Sequence, residues 1–145
     1  MNAHRPVTIV MVEDDEGHAR LIEKNIRRAG ISNDIRHFLD GGQALSYLFE
    51  APEGPALNGP ALILLDLNLP DMSGTDILQR IKADDSPLRR TPVVVLTTTD
   101  DAREIQRCYD LGCNVYITKP VNYESFADAI RQLGLFLSVI QVPEP

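Results

Sequence analysis

The sequence predicts an α/β fold, a doubly wound, five-stranded parallel sheet with five helices. Short apolar runs alternate with longer amphipathic stretches along the 145-residue chain, which is typical of consecutive βαβ units. The apolar runs are continuous, as expected for strands that helices bury on both faces. This length fits one domain, so we expect all of these elements to share one core.

The first half of the chain supplies two strands, two helices and a loop. The strands are predicted at residues 7–12 and 34–39. The helices, whose apolar residues recur at helical spacing, are predicted at residues 17–29 and 41–50. The next segment, residues 51–60, has three prolines and two glycines and therefore predicts a loop.

The second half repeats the alternation of strand and helix. Three strands are predicted at residues 61–65, 93–96 and 114–118. Three helices are predicted at residues 73–82, 101–111 and 123–133. Asp100 precedes the second of these helices and is expected to cap it.

Polar residues follow four of the predicted strands at the point where each apolar run ends. Glu13 and Asp14 follow the first strand, and Asp66 follows the third. Thr97 and Lys119 follow the fourth and the fifth. Ligands of open parallel sheets bind at the carboxyl ends of the strands, so we expect these side chains to converge.

This set of side chains suits phosphoryl transfer to a carboxylate. Clustered carboxylates repel one another and favour a bound cation, and hard oxygen ligands select Mg²⁺. Glu13, Asp14 and Asp66 would hold the metal, and Asp66 would also be the nucleophile. Lys119 and Thr97 would contact the phosphoryl oxygens. Each residue alone has a simpler interpretation as a cap or loop residue, but four such coincidences at four strand ends favour function.

Four motifs in this order carry a family resemblance. They read IVMVED at 9–14, LLDLNLPDMSG at 64–74, VLTT at 95–98 and YITKP at 116–120. The chain from about residue 7 to residue 133 resembles the response-regulator receiver family, whose CheY-like domains have a flavodoxin-like fold.

The resemblance implies a role for each site residue. The implied metal ligands are Glu13, Asp14, Asp66 and the backbone carbonyl of Asn68. The implied catalytic residues are the phosphoacceptor Asp66 with its phosphoryl contacts Lys119 and Thr97. The implied switch residues are Thr97 and Tyr116, whose ring changes rotamer on activation. A half-buried strand tyrosine also suits simple packing, so this last role depends on the family match.

Three neighbouring positions carry further expectations. Asp15 falls outside the matched acidic pair and is left out of the site. Thr98 stands where many receivers have a smaller residue. The threonine is expected to slow access to the acceptor or to change the lifetime of the phosphorylated state. The resemblance also implies a cis bond between Lys119 and Pro120, since X–Pro bonds adopt cis at little cost.

The expected function is that of a two-component response regulator. A sensor histidine kinase would donate the phosphoryl group, and the domain would catalyse only its own phosphorylation and dephosphorylation. We expect no DNA-binding output domain, so the signal would leave by protein–protein contact. A phosphatase with an aspartate nucleophile is a weaker hypothesis, because its usual general acid would stand where this chain has Asn68. Two further hypotheses are a receiver that only binds partners and a flavin-binding module of the same fold.

The C-terminal residues are apolar on too many positions for one helix face. We therefore divide the chain into a receiver domain, residues 1–134, and an extension, residues 135–145. The extension and the last helix are expected to form a homodimer interface, and the alternative is a longer last helix folded back on its own domain. The tail, the proline-rich loop and the segment DLNLP at 66–70 together resemble stand-alone receivers that pair with phytochrome-type histidine kinases.

Charge and cysteine content bound the partners and the compartment. The net charge of −7 argues against nucleic acid or an anionic membrane surface as the main partner. Cys108 and Cys113 are expected to be free thiols of a reducing compartment. No run is long enough to span a bilayer, and we expect a cytoplasmic protein. The three histidines are expected to lie on the surface.

Overall fold

The strands lie where the apolar runs predict them. The computed structural model describes residues 7–50, 60–120 and 122–137. Its strands are β1 (Thr8–Val12), β2 (Ile35–Phe38), β3 (Ala61–Leu65), β4 (Val93–Thr97) and β5 (Val115–Thr118). They pair in parallel in one sheet of order β2-β1-β3-β4-β5, which confirms the predicted doubly wound fold.

The helices connect successive strands. They are α1 (Glu16–Arg28), α2 (Gly41–Leu45), α3 (Gly74–Lys82), α4 (Ala102–Leu111) and α5 (Tyr123–Leu137). The segment after α2 continues as a π-helical turn, Ser46–Glu50, which the periodicity did not distinguish from α-helix. The other predicted helix boundaries, apart from the end of α5, lie within about one residue of the observed ones.

Aspartates are the N-cap residues of three of these helices. Asp15 accepts a hydrogen bond from the His18 amide at the start of α1, and Asp40 accepts one from the Gln43 amide at the start of α2. The prediction that Asp100 caps α4 is wrong. Asp101 caps that helix because its carboxylate lies 2.7 Å from the amide nitrogen of Arg103.

The core consists of two apolar layers, one on each face of the sheet. Every residue of β1, β3 and β4 is buried, and successive residues alternate between the layers. One layer contains α2, α3 and α4, together with the buried free thiols Cys108 and Cys113. The other layer contains α1 and α5. Burial on both faces explains why these strands read as continuous apolar runs.

The chain reverses its direction of winding between β1 and β3. These two strands are neighbours, and Val12 lies opposite Leu65 at their carboxyl ends. The residues that follow, Glu13 and Asp66, therefore emerge side by side at the edge where doubly wound sheets bind ligands. At the other side of β3, Thr97 pairs with Thr118 and brings Lys119 to the same edge.

The last helix is longer than predicted. It ends at Leu137, so the first three residues of the predicted extension continue α5. The rest of the extension, residues 138–145, and the proline-rich loop 51–59 lie outside the described residues. No helix of the described ranges, α5 included, is long and apolar enough to cross a membrane.

Candidate functional site

Three carboxylates meet where β1 and β3 end. Ligand oxygens of Glu13, Asp14 and Asp66 all lie within 4.8 Å of one another. Glu13 and Asp66 are buried, being 2% and 6% exposed, whereas Asp14 is exposed. Two buried carboxylates beside an exposed one fit a hard divalent cation that keeps part of its water shell.

Lys119 offsets the buried negative charge. Its side chain is buried, and its Nζ donates a short hydrogen bond to Glu13 Oε1 and another of 3.2 Å to Asp66 Oδ2. The backbone amide of Lys119 donates to Thr97 O at 2.6 Å, which anchors the end of β5 to β4. Buried charges persist only when paired and hydrogen-bonded, so this lysine and these carboxylates depend on one another.

The raised pKa of Glu13 is consistent with a cation in this pocket. Burial raises the pKa of Glu13 to about 7, although the hydrogen bond and charge of Lys119 lower it. The neighbouring carboxylate of Asp66 raises it further. One ammonium group therefore does not compensate the pocket fully. A divalent cation would favour the ionised form of Glu13, and the donor set fits it.

Asn68 connects the acceptor loop to the end of β4. Its backbone amide donates to Asp66 Oδ1 at 3.1 Å. Its side-chain amide donates to Thr97 Oγ1 at 3.4 Å and to Thr99 Oγ1 at 3.3 Å. Thr97 is fully buried and is the last residue of β4. The role of the Asn68 carbonyl as a metal ligand, and that of the exposed Thr98 in controlling access, stay predictions.

Tyr116 reaches the same region from β5. Its hydroxyl donates to Thr99 O at 2.6 Å, two residues beyond Thr97. Burial raises the pKa of Tyr116 to about 12, so the phenol stays protonated and remains a donor. The half-buried ring packs against the core layer of α2, α3 and α4. This placement suits both packing and the implied switch, and the switch stays a prediction.

One expectation about the surroundings of Lys119 is wrong. The Lys119–Pro120 bond is trans, since no cis peptide occurs in the described ranges, and trans is the lower-energy form of X–Pro bonds. His18 is partly exposed, with 39% of its side chain accessible, and its Nδ1 also lies 3.2 Å from Lys119 Nζ. No spacing in the sequence indicates this contact, which depends on how α1 packs on the sheet.

The loop after Asp66 is closed tightly. The amide of Gly74 donates to Leu67 O at 2.9 Å. A Cβ at Gly74 would lie 2.7 Å from Leu67 Cα and would overlap the backbone oxygen of Asp66. The glycine at this position therefore lets α3 begin directly against the acceptor.

Gly74→Ala is expected to lower the free energy of unfolding by about 1–3 kcal/mol, because the backbone beside Asp66 must move. Urea unfolding measures this loss. The matched control is Gly17→Ala, whose new methyl would meet only the carboxylate of Asp15. This control is expected to leave the stability unchanged or to raise it by up to about 1 kcal/mol, because Gly17 lies in a helix and alanine is the better helix former. Equal effects of the two substitutions would contradict the steric argument.

Asp71, in the same loop, caps α2 from a distance. Its two carboxylate oxygens each accept a 2.8 Å hydrogen bond, one from the Gly41 amide and one from the Gly42 amide. These two bonds lower the pKa of Asp71. The sequence offered no signal of this contact, which joins residues far apart in the chain.

Asp71→Asn is expected to lower the melting temperature by roughly 2–6 °C at neutral pH. Because the folded-state pKa is depressed, the stabilisation by Asp71 is present above the unfolded-state pKa. It is lost as the pH falls through the folded-state value. The difference in melting temperature between the two proteins should therefore shrink in acid. A constant difference from neutral to strongly acidic pH would contradict this origin.

Comparisons with known proteins agree with this geometry. Residues 9–131 match the family described as the response regulator receiver domain. Response regulator Rcp1 of Synechocystis is 33% identical over 139 residues, which cover 95% of this chain and 94% of Rcp1. The structure of Rcp1 in its Mn²⁺-bound form superposes with a TM-score of 0.85.

Two further solved structures resemble the whole domain. A response regulator receiver domain from Rhodospirillum rubrum is 69% identical, with a TM-score of 0.89, and the match covers 95% of this chain and 98% of that one. The phosphorylated cyanobacterial phytochrome response regulator RcpA is 37% identical, with a TM-score of 0.84 and coverage of 97% and 99%.

Proposed function

The chain belongs to the response regulator receiver family, and from this premise we propose that it accepts a phosphoryl group on Asp66 in a reaction that requires Mg²⁺. It is a response regulator of two-component signal transduction. The single observation that carries the proposal is the buried Asp66 carboxylate, which lies against both the acidic pair and the ammonium of Lys119.

The metal would be held by Glu13, Asp14, Asp66 and the carbonyl of Asn68. When bound, it would neutralise negative charge on the incoming phosphoryl group. The choice of Mg²⁺ is supported by the all-oxygen donor set, and Rcp1 offers a relative with a bound divalent ion.

The side chains of the chain itself orient the nucleophile. The Asn68 amide holds one oxygen of Asp66 and the Lys119 ammonium holds the other. An Asp66 oxygen forms the new bond to phosphorus as the bond from phosphorus to the donor breaks. Lys119 and Thr97 then donate hydrogen bonds to the phosphoryl oxygens, where negative charge accumulates.

We propose that the domain is not an enzyme acting on other molecules. It would catalyse only its own phosphorylation and the hydrolysis of its own acyl phosphate. The position two residues after the acceptor supports this, since Asn68 has an amide that does not act as a general acid.

The proposed phosphoryl donor is a sensor histidine kinase, and the likeness to RcpA supports a phytochrome-type kinase. The proposed compartment is the cytoplasm. The net charge of −7 supports protein rather than nucleic acid or membrane partners. A homodimer through α5 and the extension is also proposed, on the apolar sequence of residues 135–142. A concentration-independent monomer in light scattering would contradict the dimer.

The experiment that tests the proposed reaction is intact-mass analysis after incubation with a small phosphodonor. We expect one added phosphoryl group in Mg²⁺ and none in EDTA. No addition under either condition would contradict the function. Equal addition under both conditions would contradict the metal requirement.

A further inference from the structure

We propose that His18 is a positioning residue that holds the Lys119 ammonium for phosphoryl transfer. This inference rests on the proposed function and adds a residue to it. Among the described residues, three acceptors surround Lys119 Nζ, namely Glu13 Oε1, Asp66 Oδ2 and His18 Nδ1. A lysine ammonium has three N–H donors, so this set offers one acceptor to each of them.

The chemistry of the ammonium group sets the direction of this contact. An ammonium group has no lone pair and acts only as a donor. His18 Nδ1, at 3.2 Å from Lys119 Nζ, is therefore the acceptor in this contact. His18 thus gives Lys119 an imidazole nitrogen as acceptor beside two carboxylates.

The ring of His18 packs on one side against the buried ring of Phe126 on α5, with centroids 5.1 Å apart. The backbone of His18 lies in the first turn of α1, where its amide donates to Asp15 Oδ1 at 3.0 Å. The side chain is 39% exposed. The ring packing and the fixed backbone together present Nδ1 to Lys119.

An acceptor that is not a carboxylate has a use that the carboxylates do not supply. During the reaction Asp66 would become an acyl phosphate, and a bound cation would share the charge of Glu13. Both carboxylate contacts of Lys119 therefore change as the phosphoryl group arrives. The contact with His18 does not take part in this chemistry and holds Nζ in place while a phosphoryl oxygen becomes its new acceptor.

Two substitutions at position 18 separate the acceptor from the ring. His18→Asn keeps an acceptor, because the side-chain oxygen of asparagine is attached to Cγ as Nδ1 is in histidine, but it loses the packing on Phe126. His18→Phe keeps a ring against Phe126 and loses the acceptor. The full chain of each protein is incubated with phosphoramidate and Mg²⁺, and the rate of phosphorylation is followed by intact mass. The melting temperature of each protein is also measured. All phosphorylation rates are measured at a temperature below the lowest of these melting temperatures.

We expect His18→Phe to lower the rate about threefold to tenfold, the effect of losing one ordinary hydrogen bond that positions Lys119. His18→Asn should retain the wild-type rate within about twofold. Between the two variants, the melting temperatures should rank in the opposite order to the rates. His18→Phe should melt at the higher temperature, since only phenylalanine keeps the ring contact. A merely structural role would make rates follow stability.

A phenylalanine variant at least as fast as the asparagine variant would overturn the inference, as would equal rates in all three proteins. Failure of the proposed function has a different signature, because wild-type protein would then gain no mass. The two failures are therefore distinguishable within one set of samples.

Discussion

We expect Asp66→Asn to abolish phosphoryl acceptance while the protein remains folded. An amide has the shape of the carboxylate but is not a nucleophile at phosphorus, so no acyl phosphate forms. The fold tolerates the change because Lys119 keeps its ion pair with Glu13. Intact mass after incubation with phosphodonor and Mg²⁺ should show complete loss of the added phosphoryl group.

The matched control is Asp76→Asn, the same chemical change on an exposed residue of α3. It should accept one phosphoryl group at the wild-type rate. Addition that survives Asp66→Asn would mean that another side chain is the acceptor. Loss of addition in the control would mean that the assay reports general charge rather than the nucleophile.

Removal of Lys119 has the second large expected effect, on both stability and rate. Lys119→Met leaves the buried carboxylates of Glu13 and Asp66 without a cation, since both pair with this lysine. Breaking a buried ion pair from one side costs about 3–5 kcal/mol of unfolding free energy. Phosphorylation should also slow by about 100-fold or more, because the charge on the phosphoryl oxygens loses its donor.

Urea unfolding in EDTA measures the loss of stability, and added Mg²⁺ should recover part of it. Lys82→Met is the control. Lys82 donates hydrogen bonds to the neutral backbone oxygens of Arg89 and Thr91. Its loss therefore leaves no carboxylate without a cation. This control should be less destabilised, insensitive to Mg²⁺ and phosphorylated normally. Equal destabilisation of the two variants would contradict the role of Lys119 in charge compensation.

The sequence predicts the part of the site that depends on strand ends. Glu13, Asp66, Thr97 and Lys119 end or follow apolar runs, and a parallel sheet brings all such positions to one edge. The metal cluster needs nothing beyond this rule, because β1 and β3 are neighbours in the doubly wound order.

The contacts that escape prediction depend on how helices and loops lie on the sheet. His18 meets Lys119 only because α1 packs beside α5, and Asp71 caps α2 only because the acceptor loop turns toward it. Neither contact has a fixed sequence spacing. The π-helical turn after α2 also escapes, since one added residue per turn barely alters a short apolar pattern.

The ion pair between Glu13 and Lys119 has a consequence for biosynthesis. The two residues are 106 positions apart in the chain, and Asp66 and Lys119 are 53 apart. Such non-local contacts form late, after the loops between them have closed. A nascent chain that has not yet delivered β5 carries its acceptor without its ammonium. Phosphorylation at the rate of the finished protein is therefore expected only after synthesis has passed the last strand.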